Sequence, residues 1–301
     1  MANEFLNLTD LALINSRDLA DRDISDLLEE APMLAALPAD TASNGTTHKY
    51  VKQTGAPTVG FRAVNTGKEN KKSGDTEVSQ DLKLLDASFH VDVAVADGYR
   101  LGPEAYIQRE AARALKAALS EYEQQIIYGT GNDASGFNGL ADDSGLDGLA
   151  DAMVIDAGGT TASTGSSVWA IRATGDLNNL VAILGREGEI EIGETTVQLI
   201  SDPTDNTLTL NVYSTPVYAW VGMQIGGAFS VGRIANLTED SGKGLTDDLV
   251  SSMISEFPAN RGPSHLVMNR RSLKQLQQSR TATNATGAPA PFPMDSHGVP
   301  I

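Results

Sequence analysis

The sequence predicts an α+β fold, because segments with strand and helix patterns follow one another without a regular βαβ order. Residues 103–128 carry apolar side chains at helical spacing, whereas residues 89–95 alternate apolar and polar side chains as a half-buried strand does. Further strand-type segments follow between 167 and 237. With 301 residues, the chain is long enough for one large domain or two ordinary ones.

Composition is that of an ordinary globular protein, with 41% hydrophobic and 20% charged residues. The chain contains no cysteine, which excludes disulfides, thiolate metal sites and cysteine nucleophiles. The first residues show neither the basic nor the apolar region of a secretory signal, and no apolar run reaches membrane-spanning length. We therefore expect no membrane partner.

The chain is strongly acidic, with a net charge of −17, and residues 130–171 contain six Asp but no Lys or Arg. Proteins that grip phosphate backbones need clustered basic residues, so direct nucleic-acid binding is not predicted. The acidity suits a well-solvated protein, or a container that must not adhere to a nucleic-acid cargo. A salt-adapted host is a third explanation.

Residues 9–37 are predicted to form a broken helix, because Pro32 and Pro38 interrupt the helical pattern. Residues 39–48 have the composition of a loop. Neither segment shows a thick apolar face. We interpret the N-terminal region as an arm.

A long hairpin is predicted over residues 49–95. An apolar strand rises through 58–64, a polar tip reads NTGKENKKSGD, and an alternating strand returns through 78–95. An isolated two-stranded ribbon is only marginally stable in water. The apolar residues of the hairpin therefore predict that another surface covers them.

Residues 103–128 give the clearest helix. Pro103 suits the first helical position, Glu104 suits the positive N-terminal end, and Gly129 suits the residue after the helix. The length and the solvated opposite face indicate a structural strut. The apolar stripe consists of Ile107, Ala111, Leu115, Ala118, Tyr122 and Ile126.

The remainder of the chain alternates strands and short helices. Helices are predicted at 246–257 and 270–278, and a loop at 279–296. Val299 to Ile301 resemble the start of a strand, so we expect the natural chain to continue. Strands are predicted at 167–173, 180–185, 189–200, 207–213 and 218–237.

No motif predicts catalysis, a metal or a cofactor. Residues 142–151 resemble a calcium loop, but Gly145 and Val154 occupy positions that require oxygen ligands. The spaced glycines at 185–193 and 222–232 match no phosphate-binding loop and are typical of strand bends. The four histidines lie in no catalytic pattern. The chain is therefore not expected to be an enzyme.

Several stretches, taken in order, resemble the major capsid proteins of tailed double-stranded DNA bacteriophages, which have the Hong Kong 97 capsid fold. The chain is most similar to those of a group of short-tailed phages. The resemblance spans nearly the whole chain. Its stretches are LLEEAPMLAALP (27–38), THKYVKQTGAPTVGFRAVNTG (47–67), FHVDVAVAD (89–97), YEQQIIYGTGNDASGFNGL (122–140), VWAIRA (168–173), VGRIANL (231–237) and HLVMNRRSLKQL (265–276).

The resemblance implies a role for each region of the chain. Residues 1–48 would be an N-terminal arm that straps a neighbour, and residues 49–92 an extended hairpin lying over the adjacent subunit. Residues 93–135 and 217–240 would form a peripheral domain around the spine helix 103–128. Residues 136–216 and 241–301 would form an axial domain, whose end at Ile301 departs from the pattern of the fold and suggests truncation.

The resemblance also implies subunit contacts by the hairpin. Some capsids of this fold join a hairpin lysine covalently to a neighbour's asparagine, but the sequence identifies neither that asparagine nor the catalytic acid, which favours a solvated tip. The expected contact residues are Val59, Phe61, Arg62, Val64, Lys68, Lys71 and Lys72.

The function implied is that of a shell protein that assembles with itself, through pentamers and hexamers, around phage DNA. The expected partners are a scaffolding protein, a portal protein and a possible decoration protein, with assembly in the host cytoplasm. Two alternatives remain at this point: an encapsulin-type nanocompartment shell, and a β-rich hydrolase or carbohydrate-binding module.

Overall fold

A computed structural model describes the chain over 31–69, 72–142, 153–162, 164–174, 179–188, 190–202, 207–227, 229–280 and 293–301. Most of the predicted arm helix and most of the calcium-like loop lie outside these residues. The elements below are numbered in chain order.

The described part of the N-terminal region packs on the chain's own body. Helix α1 (Pro32–Ala36) begins at its proline and places Met33 in the core. Strand β1 (Ala39–Thr41) adds in parallel to the edge of a sheet. The loop predicted for 39–48 is therefore wrong at both ends, because β1 and the start of the hairpin lie within it. The hydrogen-bond partners of β1 are residues 182–184, which are too distant in sequence for local composition to indicate.

The hairpin consists of β2 (Thr47–Gly55) and β3 (Gly74–Asp81), paired from Thr47↔Asp81 to Gly55↔Gly74. The predicted rising strand at 58–64 is wrong, since these residues lie in the loop that joins the two strands.

The predicted return strand is broken into separate elements. After β3, strand β4 (Lys83–Asp86) joins one sheet and β5 (Phe89–Asp92) joins another. Helix α2 (Val93–Asp97) then follows directly, because the Asp92 carboxylate accepts a hydrogen bond from the Ala94 amide at 2.9 Å and caps the helix. The alternation at 89–95 thus forms a strand only in its first half.

Helix α3 (Pro103–Tyr128) has the predicted bounds. Of the predicted stripe, Ala118, Tyr122 and Ile126 are buried, whereas Ile107, Ala111 and Leu115 are only half-buried. The hydroxyl of the buried Tyr122 donates a hydrogen bond to the Gly222 carbonyl at 2.7 Å and joins the helix to the sheet beneath it. Burial raises the pKa of this hydroxyl.

The sheet beneath α3 contains β8 (Leu180–Leu184), β9 (Glu191–Ile192) and β12 (Val217–Ile225) together with β1 and β4. The strand order is β1-β8-β12-β4, and β9 also pairs with β12. One hydrophobic cluster fills the space between this sheet and α3. Its members include Met33, Leu37, Tyr122, Ile126, Leu180, Ala182, Ala219, Val221 and Met223.

A second sheet has the order β14-β7-β13-β6, and two helices pack on it. The helices are α4 (Asp247–Glu256) and α5 (Arg270–Ser279), both close to their predicted bounds. The strands are β6 (Val154–Asp156), β7 (Ser166–Ile171), β13 (Val231–Leu237) and β14 (His265–Val267).

The predicted strand over 218–237 is two strands, and they belong to different sheets. β12 pairs with β8 under α3, whereas β13 pairs with β7 and β6 in the second sheet. The residues between them turn the chain from one sheet to the other. A single apolar run in sequence gives no sign of this change of partner.

A three-stranded sheet has the order β10-β11-β5, with β10 (Thr196–Ser201) at its edge and β11 (Thr209–Thr215) in the centre. At the end of the chain, β15 (Asp295–Ser296) and β16 (Val299–Pro300) form a small antiparallel pair. Val299 is therefore paired within the described residues.

Candidate subunit-contact surface

The base of the hairpin is fixed to the end of β12. His48 is buried, and its Nε2 is hydrogen-bonded to the side chain of Gln224. The Tyr50 hydroxyl donates to the Ile225 carbonyl at 3.2 Å, and burial raises the pKa of this hydroxyl. These contacts set the direction in which the hairpin leaves the body.

Beyond this base, the two hairpin strands pair only with each other among the strands that the structure describes. Lys49 and Glu77 form an exposed ion pair at 3.4 Å across the ribbon, and exposed pairs of this kind contribute little stability. Val51 is 68% exposed. The ribbon therefore projects with little apolar support from its own subunit.

Hydrogen bonds within the loop hold the tip of the hairpin in shape. The Lys68 ammonium donates to the Thr58 carbonyl at 2.6 Å, which closes the two sides of the loop. The Arg62 guanidinium donates to the Thr66 carbonyl at 3.1 Å. Asn65 has a φ of 64°, in the left-handed region that asparagine tolerates at turns.

The apolar tip residues predicted from the sequence point into solvent. Val59, Phe61 and Val64 have exposed fractions of 86%, 110% and 88%. Burying such a side chain fully is worth about 1.5–3 kcal/mol, so three together on one projecting loop form a strong candidate contact surface. Their contact with another copy stays a prediction.

The basic residues expected at the tip are placed differently from one another. Arg62 and Lys68 take part in the loop's internal hydrogen bonds, and Lys72 is exposed. Lys71 lies outside the described residues. Covalent joining through any of these lysines stays untested.

The tip and the body of the subunit have opposite charge. Residues 56–73 contain four of the chain's 22 basic residues but only one of its 39 acidic residues. A basic tip on an acidic body is complementary to another copy of the same chain.

An apolar cavity of about 130 Å³ lies between α3, α1 and the sheet beneath them. Sequence reasoning missed this cavity, because its walls come from distant parts of the chain and no local pattern brings them together. Leu119 and Leu85 in its wall are half-buried, so it is reached from the surface. Its lining includes Leu34, Leu37, Leu85, Ala118, Leu119, Ala182, Leu184, Ile190, Val217 and Val221.

A wider cleft of about 820 Å³ separates α3 from the second sheet. Its walls are polar in part: Arg233 lies 4.9 Å above the ring of Trp169 and donates to the Ser167 hydroxyl at 3.1 Å. Glu123 also lines it and accepts a hydrogen bond from the Leu34 amide at 2.8 Å. Burial raises the pKa of this carboxyl.

Two kinds of site are absent from the described part of the chain. Over these residues, no group of three His, Asp or Glu side chains is arranged to hold a metal ion. None of the described helices combines the length and apolar character that crossing a membrane requires.

Comparison with known proteins identifies the family. The family model described as "Major capsid protein GP7" matches residues 17–288, which is most of the chain. The chain belongs to the major capsid protein GP7 family.

The structure of one phage capsid supports the same fold. The chain is similar to one in the structure of bacteriophage Epsilon15, with a TM-score of 0.68 and 19% identity over 100% of this chain and 94% of that one. It is also similar to a chain of the bacteriophage JBD30 capsid, with a TM-score of 0.48 and 12% identity over 88% of each. A search of curated proteins found no match.

The family and the fold confirm the prediction of a Hong Kong 97-like capsid protein of a tailed phage, whose role is structural. This capsid protein belongs to the icosahedral shell of a virion. Neither alternative, the nanocompartment shell nor the hydrolase or carbohydrate-binding module, is supported.

Proposed function

We propose that this capsid protein forms pentamers and hexamers in which the hairpin, residues 49–92, lies on the adjacent copy. The observation that carries this proposal is the complete exposure of Phe61, together with Val59 and Val64, on a ribbon that projects from its own body. Many such contacts around a shell add up, even where each one is modest.

The other regions take the roles that the fold family implies. Residues 1–48 form an arm that is anchored on its own subunit through α1 and β1 and extends toward neighbouring copies. Residues 93–135 and 217–240 form a peripheral domain, and residues 136–216 and 241–301 an axial domain at the five-fold and six-fold axes. This division cuts through both sheets, since β8 and β9 pair with β12 under α3, whereas β13 pairs with β6 and β7.

The proposal extends to partners and place of assembly. A scaffolding protein and a portal protein guide assembly in the host cytoplasm, a decoration protein binds the finished shell, and the shell encloses DNA without reading its sequence. The net charge of −17 supports this last point, since an acidic wall does not adhere to a phosphate backbone.

The test compares the wild-type chain with the triple variant Val59→Ser, Phe61→Ser, Val64→Ser, each co-expressed with its adjacent scaffolding candidate. Because the contact would lose most of its apolar area, we expect the concentration needed for assembly to rise at least about tenfold. Light scattering measures that concentration, and negative-stain electron microscopy shows whether shells form.

The matched control is Met294→Ser, which removes another exposed apolar side chain, 84% exposed, outside the hairpin. It should assemble as the wild type does. Circular dichroism should show equal unfolding midpoints for all three subunits. Shells formed by the triple variant at the wild-type concentration would contradict the proposed role of the hairpin.

A further inference from the structure

The subunit carries an exposed aromatic side chain and an apolar cavity that the described residues leave unfilled. Phe61 is fully exposed at the hairpin tip. The cavity under α3 measures about 130 Å³, close to the roughly 150 Å³ of an apolar cavity that binds benzene. A phenyl ring therefore matches the cavity in size and chemistry.

The subunit's own hairpin does not reach this cavity. Moving up the hairpin, His48 contacts Gln224 and then Tyr50 contacts Ile225, so the ribbon leaves the body past the C-terminal end of β12. The cavity is lined by the opposite end of the same strand, at Val217 to Val221. Beyond Tyr50, the last five residues of β2 add roughly 16 Å in the outward direction. A second copy must supply the ring.

Charge favours the same pairing. Arg62 follows Phe61 directly, and the tip as a whole is basic. The body that carries the cavity is acidic, since the residues outside 56–73 hold 38 of the chain's 39 acidic residues and 18 of its 22 basic residues. A basic tip approaching the acidic body of another copy is attracted to it.

We infer that Phe61 of each copy inserts its ring into the apolar cavity beneath α3 of the next copy, between α3 and β12. This inference rests on the proposed function and names the surface that receives the hairpin. The contact is heterologous, since tip and cavity are different surfaces, and such contacts form closed rings when the rotation from copy to copy closes. The wider cleft is the poorer receptor because Arg233 and Glu123 make its walls polar.

The absence of cysteine in the sequence permits a clean crosslinking test. The double variant Phe61→Cys, Leu119→Cys places one thiol on the tip and one on the cavity wall. A disulfide needs Cα atoms about 4.4–6.8 Å apart, so it forms only if tip and wall meet. Shells of this variant should give dimers and a ladder of larger species on a non-reducing gel.

The matched control is Phe61→Cys, Met294→Cys, whose second thiol is exposed but does not line the cavity. It should remain monomeric on the same gel, as should each single variant. Shells without the Leu119 ladder, or with an equal ladder from the control, would overturn the inference and leave the proposed shell function standing. Failure of the wild-type chain to form shells would instead count against the proposed function.

A second measurement applies if the cysteine variants do not assemble. Phe61→Ala removes the ring, and Ala118→Leu fills the cavity from its wall. If the ring occupies the cavity, the double variant should need no higher assembly concentration than the more impaired single variant. Multiplicative effects of the two changes on that concentration would show that ring and cavity are independent. Comparing the unfolding midpoints of the free wild-type and Ala118→Leu subunits shows how far this substitution destabilises the subunit itself, and the assembly concentrations are corrected for that loss.

Discussion

One carboxylate joins three segments near the end of the chain. Asp247 opens α4 and receives two hydrogen bonds from the Arg280 guanidinium, at 2.7 and 2.8 Å. It also accepts a bond from the Ser296 hydroxyl at 3.0 Å. Hydrogen bonding to Arg280 lowers the pKa of Asp247 below its ordinary value.

Asp247→Asn should lower the free energy of unfolding by about 0.5–1 kcal/mol at pH 7, a modest value because the ion pair is partly exposed. A carboxyl whose pKa is depressed by folding stabilises the fold above its unfolded pKa of about 4, and this contribution is lost as pH falls further. The difference between wild type and variant should therefore disappear in acid. Urea unfolding at a series of pH values measures it.

Asp248→Asn is the control, since Asp248 lies in the same first helical turn but is exposed. Like Asp247, Asp248 interacts favourably with the positive N-terminal end of the helix dipole, but it does not make the bonds to Arg280 and Ser296. An equal loss of stability in both variants would show that Arg280 contributes nothing.

At the scale of elements, the end of α3 depends on a glycine. Gly129 has a φ of 55°, and a Cβ atom there would lie 1.8 Å from an Asp142 carboxylate oxygen and 2.2 Å from the Gly139 amide nitrogen. That carboxylate accepts bonds from the amides of Thr130 and Gly139, at 2.9 and 2.8 Å. The helix stop and the loop that follows are thus one unit.

A strained backbone conformation alone costs about 1–3 kcal/mol. Gly129→Ala should lower the free energy of unfolding by more than this, because the new methyl group must also displace Asp142. Thermal unfolding of the free subunit measures the loss. Gly131→Ala, two residues later, meets nothing within 4 Å and should change stability little. Similar losses at both positions would refute this account of the helix stop.

At the scale of the whole molecule, charge is distributed unevenly. The chain has a net charge of −17, yet the hairpin tip is basic. We therefore expect copies to repel one another through their bodies and to attract through the tips. Both effects weaken as salt shortens the Debye length from about 30 Å at 0.01 M to about 8 Å at 0.15 M.

The triple variant Arg62→Gln, Lys68→Gln, Lys72→Gln should assemble several-fold more slowly than the wild type at low salt, because the attraction of the tip is lost. The ratio of the two rates should approach one as salt is raised. Light scattering at matched concentrations gives the rates. The control removes the same charge from exposed positions elsewhere: Arg261→Gln, Arg270→Gln and Lys274→Gln. A tip variant as fast as this control at low salt would argue against electrostatic guidance.

Features with a local cause could be predicted from the sequence. Pro103 and Gly129 bound α3 correctly, and α4 begins one residue after its predicted start. The exposure of Phe61 was also predictable, because an isolated two-stranded ribbon offers too little surface to bury Val59, Phe61 and Val64. Its contact with a neighbour is not tested by the structure of one chain.

Features that depend on distant partners could not be predicted. Whether the apolar run at 218–237 is one strand or two depends on which strands lie beside it, and those strands come from other parts of the chain. The parallel pairing of β1 with β8 could not be predicted for the same reason, because the two strands are far apart in sequence. The cavity under α3 has no sequence signal, since its walls meet only after the sheet has formed.

The sequence by itself determined the α+β class, the strut helix, the projecting hairpin and the acidic body with its basic tip, because caps, periodicity and charge act over a few residues. Only the tertiary structure decided where the hairpin strands end, which sheet each strand joins, and that the described residues leave a cavity the size of a phenyl ring beneath α3. Packing between distant segments fixes these features, and no local pattern encodes it.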